Sequence, residues 1–320
     1  AEDLTRAPPG PVDVAPFFAT ATTRVMMLCL FGEAVPRASA AAVAAAFAAY
    51  QAASESVDIR YLLGLPAWLA GRQNRRARDA AAALRALIGD CIAAVPQPGP
   101  PLLASMREAR RADGSAVLDD AALANEVAMM LLAGSETSAT AMTWATYLIA
   151  AHRPTTAALD EELARLPPGP PGPEEAASLG YTRAVLNEAM RLYPPVAVLS
   201  RQARSDDMLR RFKVRAGDTV MAVPWLLHRH AMWWDRPHVF APERFLPEAA
   251  RRQPKFTWIP FGVGPRICAG AAFGTAEMLV FFAILLRRFR FSVAPGWAPQ
   301  PQCRLTLRPK HGMRLVVTPR

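Results

Sequence analysis

A mainly α-helical domain with a small β region is predicted by three observations in the sequence. Alanine- and leucine-rich stretches broken by proline run from Val12 to about Ala164. Within them lies one helical pattern of about 33 residues, long enough at 1.5 Å per residue to cross a whole domain. Over residues 196–222, and again near the C-terminus, the pattern switches to β-branched residues separated by turn signals.

The elements follow in order. The proline clusters Pro8–Pro11, Pro96–Pro101 and Pro167–Pro173 read as connections between helices. The alanine tract Ala40–Ala49 is only weakly hydrophobic and reads as a soluble helix. The long helix starts at Asp119 or Asp120, either a suitable N-cap, and runs to about His152, with Pro154 as its stop. A second helix is predicted from Thr182 to Tyr193, ended by Pro194-Pro195. Short strands follow, with a turn at Ala216-Gly217-Asp218. The last helix, Ala271–Leu286, comes directly after Cys268, and strands at Leu305–Leu307 and Leu315–Val317 close the chain. There is no internal repeat, and residues 1–320 read as a single domain.

Composition narrows the function classes. The chain has 320 residues with 52% hydrophobic content, enough for a sizeable core. Its formal charge of +10 suits nucleic acid, an anionic membrane surface or an acidic protein, and the codon bias of a GC-rich bacterial genome explains it equally well. No zinc-finger spacing or RNA-binding aromatic signature supports nucleic acid. Cys29, Cys91, Cys268 and Cys303 are scattered without a CxxC pair, so neither a disulfide framework nor a zinc site is indicated, and a reducing cytoplasm fits. The apolar run Met278–Leu286 is too short to span a bilayer. No signal peptide is visible, and the first residue is Ala1, which reads as a cut end or a fragment.

The most informative segment is Phe261-Gly262-Val263-Gly264-Pro265-Arg266-Ile267-Cys268-Ala269-Gly270. Gly264 and Gly270 permit backbone conformations and close approaches closed to other residues. Cys268 precedes an apolar helix, whose free N–H groups and positive potential stabilise a thiolate. Such a thiolate is a metal ligand. Phe261 can cover the sulfur, and Arg266 can reach an acidic haem propionate. The bland alternative is a buried free cysteine in a glycine turn. A phosphate loop is excluded, because no Lys-Ser/Thr follows and no GxGxxG completes.

The pattern Phe-x-x-Gly-x-Arg-x-Cys-x-Gly constrains five positions in ten, and this loop matches all five. In this it resembles the cytochrome P450 family, whose haem-binding signature it is. The resemblance implies the cytochrome P450 fold, non-covalent haem b and Cys268 as the axial thiolate ligand. No CxxCH is present for covalent attachment.

Three further segments are similar to family motifs and occur in the family's order. Ala133-Gly134-Ser135-Glu136-Thr137-Ser138 interrupts the apolar long helix; alone it would read as a solvated face or a kink. By resemblance, Glu136 and Thr137 are the acid–alcohol pair that delivers protons to dioxygen, and Gly134 opens room over the iron. Glu188 and Arg191, at i and i+3, share a helix face. With Arg244 of Pro242-Glu243-Arg244-Phe245 they would form the family's buried Glu–Arg–Arg network, a structural device. Arg201 is a candidate second propionate contact. His228 is another, although a core or surface histidine is the plainer reading.

Members of the family are usually longer by about a hundred residues or more at the N-terminal side, so the resemblance implies that this part of the family fold is absent here. An N-terminally truncated cytochrome P450-like fold is therefore expected, and haem retention is put in question. The segment Leu209–Val214 also lacks a Gly-Gly common there, and His230 stands where an Asp is usual after His228-Arg229. The implied activity is monooxygenation of a lipophilic substrate by dioxygen. Electrons would come from a ferredoxin or flavodoxin with its reductase. Met129, Met130, Ala133, Val196–Leu199 and Thr306–Leu307 would line the pocket. Alternatives are a haem-binding fragment without turnover and a peroxide-driven haem-thiolate enzyme.

Overall fold

The computed structural model describes residue 4, residues 10–54 and residues 72–320. The prolines at 8 and 9, and residues 55–71 of the expected helical stretch, lie outside the described residues. The chain forms two compact units, Pro16–Ala139 and Ala1–Ala15 with Thr140–Arg320.

The first unit is helical. It holds α1 (Ala15–Phe31, from Pro16 onward), α2 (Arg37–Ser54), α3 (Arg72–Ala94), α4 (Pro101–Glu108) and the first five turns of α5 (Asp120–Ala151). The alanine tract is part of α2, as its composition predicts. Met26, Met27, Leu30 and Phe31 of α1 pack with Val43 of α2, Leu84 and Ile88 of α3, Leu103 of α4 and Val127 and Leu131 of α5. Burying an apolar side chain of this size contributes about 1.5–3 kcal/mol, so this shared core orders the unit.

Helix α5 is the predicted long helix. Asp119 caps it, its Oδ1 accepting from the Ala122 amide at 2.7 Å. Its end differs slightly from expectation. The chain turns at His152, whose Nδ1 accepts from the Thr155 amide, and Pro154 sits in the first turn of α6 (Arg153–Leu163). Proline lacks only an N–H that a first turn leaves free, so it starts the second helix as readily as it stops the first.

The second unit adds α7 (Pro173–Ser178), α8 (Gly180–Leu192), α9 (Pro224–Leu227), α10 (Pro247–Ala250) and α11 (Ala271–Arg288) to the last turns of α5. Trp144 of α5 stacks on Tyr193 with ring centroids 3.9 Å apart, and its Nε1 donates to the Leu307 carbonyl at 2.7 Å. Three two-stranded antiparallel ribbons pair β2 (Leu199–Gln202) with β5 (Thr219–Ala222), β3 (Asp207–Leu209) with β4 (Phe212–Val214), and β7 (Pro301–Cys303) with β8 (Leu307–Pro309). A three-stranded antiparallel sheet has the order β1 (Pro11–Asp13), β9 (Arg314–Pro319), β6 (Phe289–Val293), with Val12 opposite Leu315 and Phe291 opposite Val317. Asp13 locks the edge strand, its Oδ1 accepting from the Met313 amide at 2.8 Å. β1 stands where a helical pattern is expected, β6 and β7 are additional strands, and the strand expected at Leu305–Leu307 begins only at Leu307, because residues 304–306 form the bend between β7 and β8. β1 and β7 are three residues each, too short for a period-2 signal to show, whereas Phe289–Val293 does alternate buried and exposed positions in its first four residues.

Among the described residues, no helix is long and apolar enough to cross a membrane, and no group of three or more His, Cys, Asp or Glu side chains could hold a metal ion.

Candidate haem site

The cysteine loop lies in the unit that carries the sheets. A 3₁₀ turn, Gly264–Arg266, leads to Cys268, and Gly270 is the residue before α11. The Cys268 amide donates to the Phe261 carbonyl at 2.8 Å, which closes the loop upon itself. Gly262 (φ +74°) and Gly264 (φ +73°) adopt left-handed backbone that L side chains rarely enter. Gly270 does not. Its φ is −88°, and a Cβ there would stand 3.9 Å from Cys268 Sγ, an ordinary contact. Gly262, rather than Gly270, is thus the second conformationally required glycine of the loop.

Cys268 is exposed. Around it in sequence, Val263, Ile267 and Phe273 are 40%, 58% and 44% exposed. Arg266 and Arg201 are also exposed, and neither makes an ion pair among the described residues. Arg201 sits on β2 and donates from Nη1 to the Ser200 carbonyl at 2.8 Å. Phe261 is half-buried.

The same unit holds a closed network. Arg191 Nε donates to Glu188 Oε2 at 2.6 Å and Nη2 to Oε1 at 2.7 Å. The remaining N–H groups reach the carbonyls of His228 (2.9 Å), Pro237 (2.6 Å) and Val239 (3.0 Å). Glu188 Oε1 also accepts from the Ala241 amide at 2.9 Å, and Arg244 Nε lies 3.5 Å from it. The structure therefore brings Glu188, Arg191 and Arg244 together. Both members of the central pair are fully buried. Burial pushes the Glu188 carboxyl above its ordinary range, opposed by the hydrogen bonds and charge of Arg191.

His228 belongs to this core and not to the surface. It is fully buried, and its Nε2 accepts from the Ile259 amide at 2.8 Å. Burial lowers its pKa to about 4 against the opposing Met190 carbonyl, with Arg191 and Arg229 adding to the lowering. The ring is thus engaged within the core, its Nε2 on the Ile259 amide.

The polar interruption lies in the helical unit, and it is not a solvated face. Ser135 and Ser138 are buried, and Thr22 Oγ1 reaches the Ser135 carbonyl at 2.8 Å. Gln51 Nε2 donates to Glu136 Oε2. Thr137 Oγ1 donates to the Ala133 carbonyl at 2.6 Å. Gly134 has a neighbour that the sequence does not reveal. A Cβ there would lie 2.6 Å from Met26 Sδ, so the missing side chain makes room for a methionine of α1. Met129, Ala133 and Thr137 follow at i, i+4 and i+8 on one face, with Met129 61% exposed and Ala133 also exposed. Among the other expected pocket residues Val198 is exposed, but Ala197, Thr306 and Leu307 are buried.

The family model of cytochrome P450 matches residues 2–316. The chain belongs to the cytochrome P450 family. Among its relatives, cyclooctatin synthase of Streptomyces melanosporofaciens is 33% identical over 264 residues, covering 80% of this chain and 57% of that protein. The chloroplastic protein LUTEIN DEFICIENT 5 of Arabidopsis thaliana is 36% identical over 203 residues, covering 62% of this chain and 34% of that one. This cytochrome P450 chain thus spans about a third to a little over half of these relatives. The solved structure of cyanobacterial CYP120A1 with retinoic acid bound superimposes with a TM-score of 0.86 at 26% identity, covering 100% of this chain and 72% of that one.

Cytochrome P450 proteins hold haem b by a cysteine thiolate, and the residues present fit that group. An uncovered thiol, uncovered apolar side chains beside it and two exposed guanidinium groups match the iron, the macrocycle and the propionates in chemistry. Two features of the site escaped the sequence. Gln51 precedes Glu136 by 85 residues, and Met26 precedes Gly134 by more than a hundred. No local pattern links either pair.

Proposed function

We propose that this chain is the haem-holding part of a cytochrome P450 monooxygenase, with Cys268 as the thiolate ligand. The observation that carries the proposal is the exposed Cys268 among exposed apolar side chains, at the threshold of α11. When bound, haem supplies dioxygen activation, so that one oxygen atom enters an organic substrate and the other leaves as water.

The protein's own groups have distinct tasks in this reading. Cys268 Sγ, just before the N-terminal end of α11, would be the atom that holds the iron. Arg266 and Arg201 pair with the propionates. Thr137 holds its hydroxyl proton on the Ala133 carbonyl, which leaves the Oγ1 lone pairs free to accept another. Glu136, held by Gln51, is the carboxyl that supplies protons. Met129 and Ala133 present an apolar face that keeps water out and favours a lipophilic substrate. Electrons come from an external carrier of the ferredoxin or flavodoxin class. The Streptomyces and Arabidopsis relatives and the retinoic acid-bound neighbour support the reading.

The reduced protein treated with carbon monoxide is expected to show the red-shifted absorption of a haem thiolate. Cys268→Ser is expected to lose it, and an unchanged band in that variant rejects the ligand assignment. Thr137→Ala is expected to release more peroxide per electron pair consumed. Unchanged coupling in turnover assays would remove Thr137 from proton delivery.

A further inference from the structure

On the reading of Cys268 as the haem ligand, we propose that His228 is the positioning residue of the thiolate loop. It holds the Ile259 amide and so joins the loop to the buried Glu188–Arg191 pair.

The loop has little support from outside itself. Every residue from Val263 to Gly270 is exposed. The backbone bonds of the loop are internal. The Gly262 amide donates to the Ile259 carbonyl at 3.1 Å, the Ile267 amide to the Gly264 carbonyl at 3.0 Å, and the Cys268 amide to the Phe261 carbonyl at 2.8 Å. Such bonds set the shape of a loop but not its place in the protein. Among the described residues, one hydrogen bond reaches residues 259–270 from outside the loop and α11: the Ile259 amide donates to His228 Nε2 at 2.8 Å. Ile259 is 6% exposed and is the last buried residue before the open stretch.

His228 is itself firmly held. It is fully buried. Its amide donates to the Pro224 carbonyl at 2.8 Å, and its carbonyl accepts from Arg191 Nη1 at 2.9 Å. A backbone N–H can only donate, so Nε2 presents its lone pair to Ile259 and the ring proton is on Nδ1, toward the backbone of Met190 and Arg191. The contacts thus run without a break from the Glu188 carboxylate through Arg191, the His228 carbonyl and imidazole, and the Ile259 amide. From there the Gly262 turn and the Phe261 carbonyl lead to the Cys268 amide.

Removing the acceptor leaves a buried N–H unpaired, which is costly. Ile259 escapes that cost by moving toward water, and the loop moves with it. A ligand is only as well placed as the groups that orient it, so the thiol loses its place. A histidine that merely filled the core would act differently. Its loss would lower the stability of the whole unit and leave the loop no looser than the rest.

The test uses the full chain with His228→Leu, which removes the acceptor, and His228→Gln, whose Oε1 restores it. In the haem-free chain, amide hydrogen exchange at Gly262 and Cys268 should be at least about tenfold faster in His228→Leu than in the parent, while the middle of α5 keeps its protection. In the haem-loaded chain, the share of reduced, carbon monoxide-treated protein with the red-shifted thiolate band should fall at least about fivefold in His228→Leu. His228→Gln should bring both readouts back to within about twofold of the parent. A backbone ester at residue 259 replaces the N–H by oxygen and keeps every side chain. It should reproduce the loss, and it decides the matter if His228→Leu does not fold. Parental exchange at the loop amides in these forms overturns the proposal. Faster exchange spread equally over α5 also overturns it, because that marks lost global stability alone. So does failure of glutamine to restore the loop. If no form, the parent included, shows the red-shifted band, the Cys268 reading falls, and the exchange comparison alone then decides whether His228 anchors the loop.

Discussion

Two arginines of the same unit show opposite ends of what a charge can do in a fold. Arg191 is fully buried, and all five of its N–H donors are spent, two on Glu188 and three on backbone carbonyls. Arg266 is exposed and makes no ion pair among the described residues. The first is complete within the protein. The second stands in a loop whose thiol and apolar side chains are uncovered, as expected of a surface that is finished by something else. The completed network is scaffold, and the open loop is the proposed site.

The largest expected effect falls on the scaffold. Arg191→Ala leaves the Glu188 carboxylate buried without its main partner, and the loss should be about 3–5 kcal/mol. Urea unfolding of the haem-free chain measures it. Arg191→Lys should recover only part, because an ammonium cannot serve a bidentate carboxylate and three carbonyls at once. A loss below about 1 kcal/mol for Arg191→Ala would erase the distinction, since it would put Arg191 on the same footing as an exposed arginine.

The next effect depends on pH. The His228 pKa is lowered from 6.5 to about 4 in the folded chain. Between those values the unfolded chain binds the extra proton and the folded chain does not, so stability rises with pH across the window. Its contribution is complete above pH 6.5 and is lost as the pH falls toward 4. A difference of that size is worth roughly 3 kcal/mol at most. Unfolding midpoints at pH 7 and pH 4.5 should differ in this direction, and the dependence should flatten in His228→Gln, whose amide oxygen can still accept from Ile259.

These cases also show what was legible in the sequence. The helices α5, α8 and α11 declare themselves through capping residues, prolines and apolar period, within a few residues of their ends. Glu188, Arg191 and Arg244 could be named because two sit at helical spacing and the third in a recognisable segment. The network's other partners are backbone carbonyls of residues 228, 237 and 239, which carry no side-chain signature. His228 was open between surface and core, since an imidazole suits either until its neighbours are known. Gly134 was read toward the iron, and the side chain that a Cβ there would press is Met26, on another helix and so without a local signature. Strands β1 and β7 were hidden because pairing with β9 and β8, rather than their own three-residue pattern, makes them strands.

The smallest effect belongs to the loop and tests the comparison from its other side. Gly264 has φ +73°, and a Cβ built there meets nothing within 4 Å. Gly264→Ala therefore creates no clash, and its whole penalty is the left-handed backbone, about 1–2 kcal/mol for an L residue. Urea unfolding of the haem-free chain should show a loss in that range. Haem retention should suffer more than stability does, because the strained turn lies between Phe261 and Cys268, and a shift of the thiol matters only when something binds it. A loss of 3 kcal/mol or more in the haem-free chain would mean that the loop is packed into the fold like Arg191. In that case its exposure would no longer mark it as a surface awaiting a ligand.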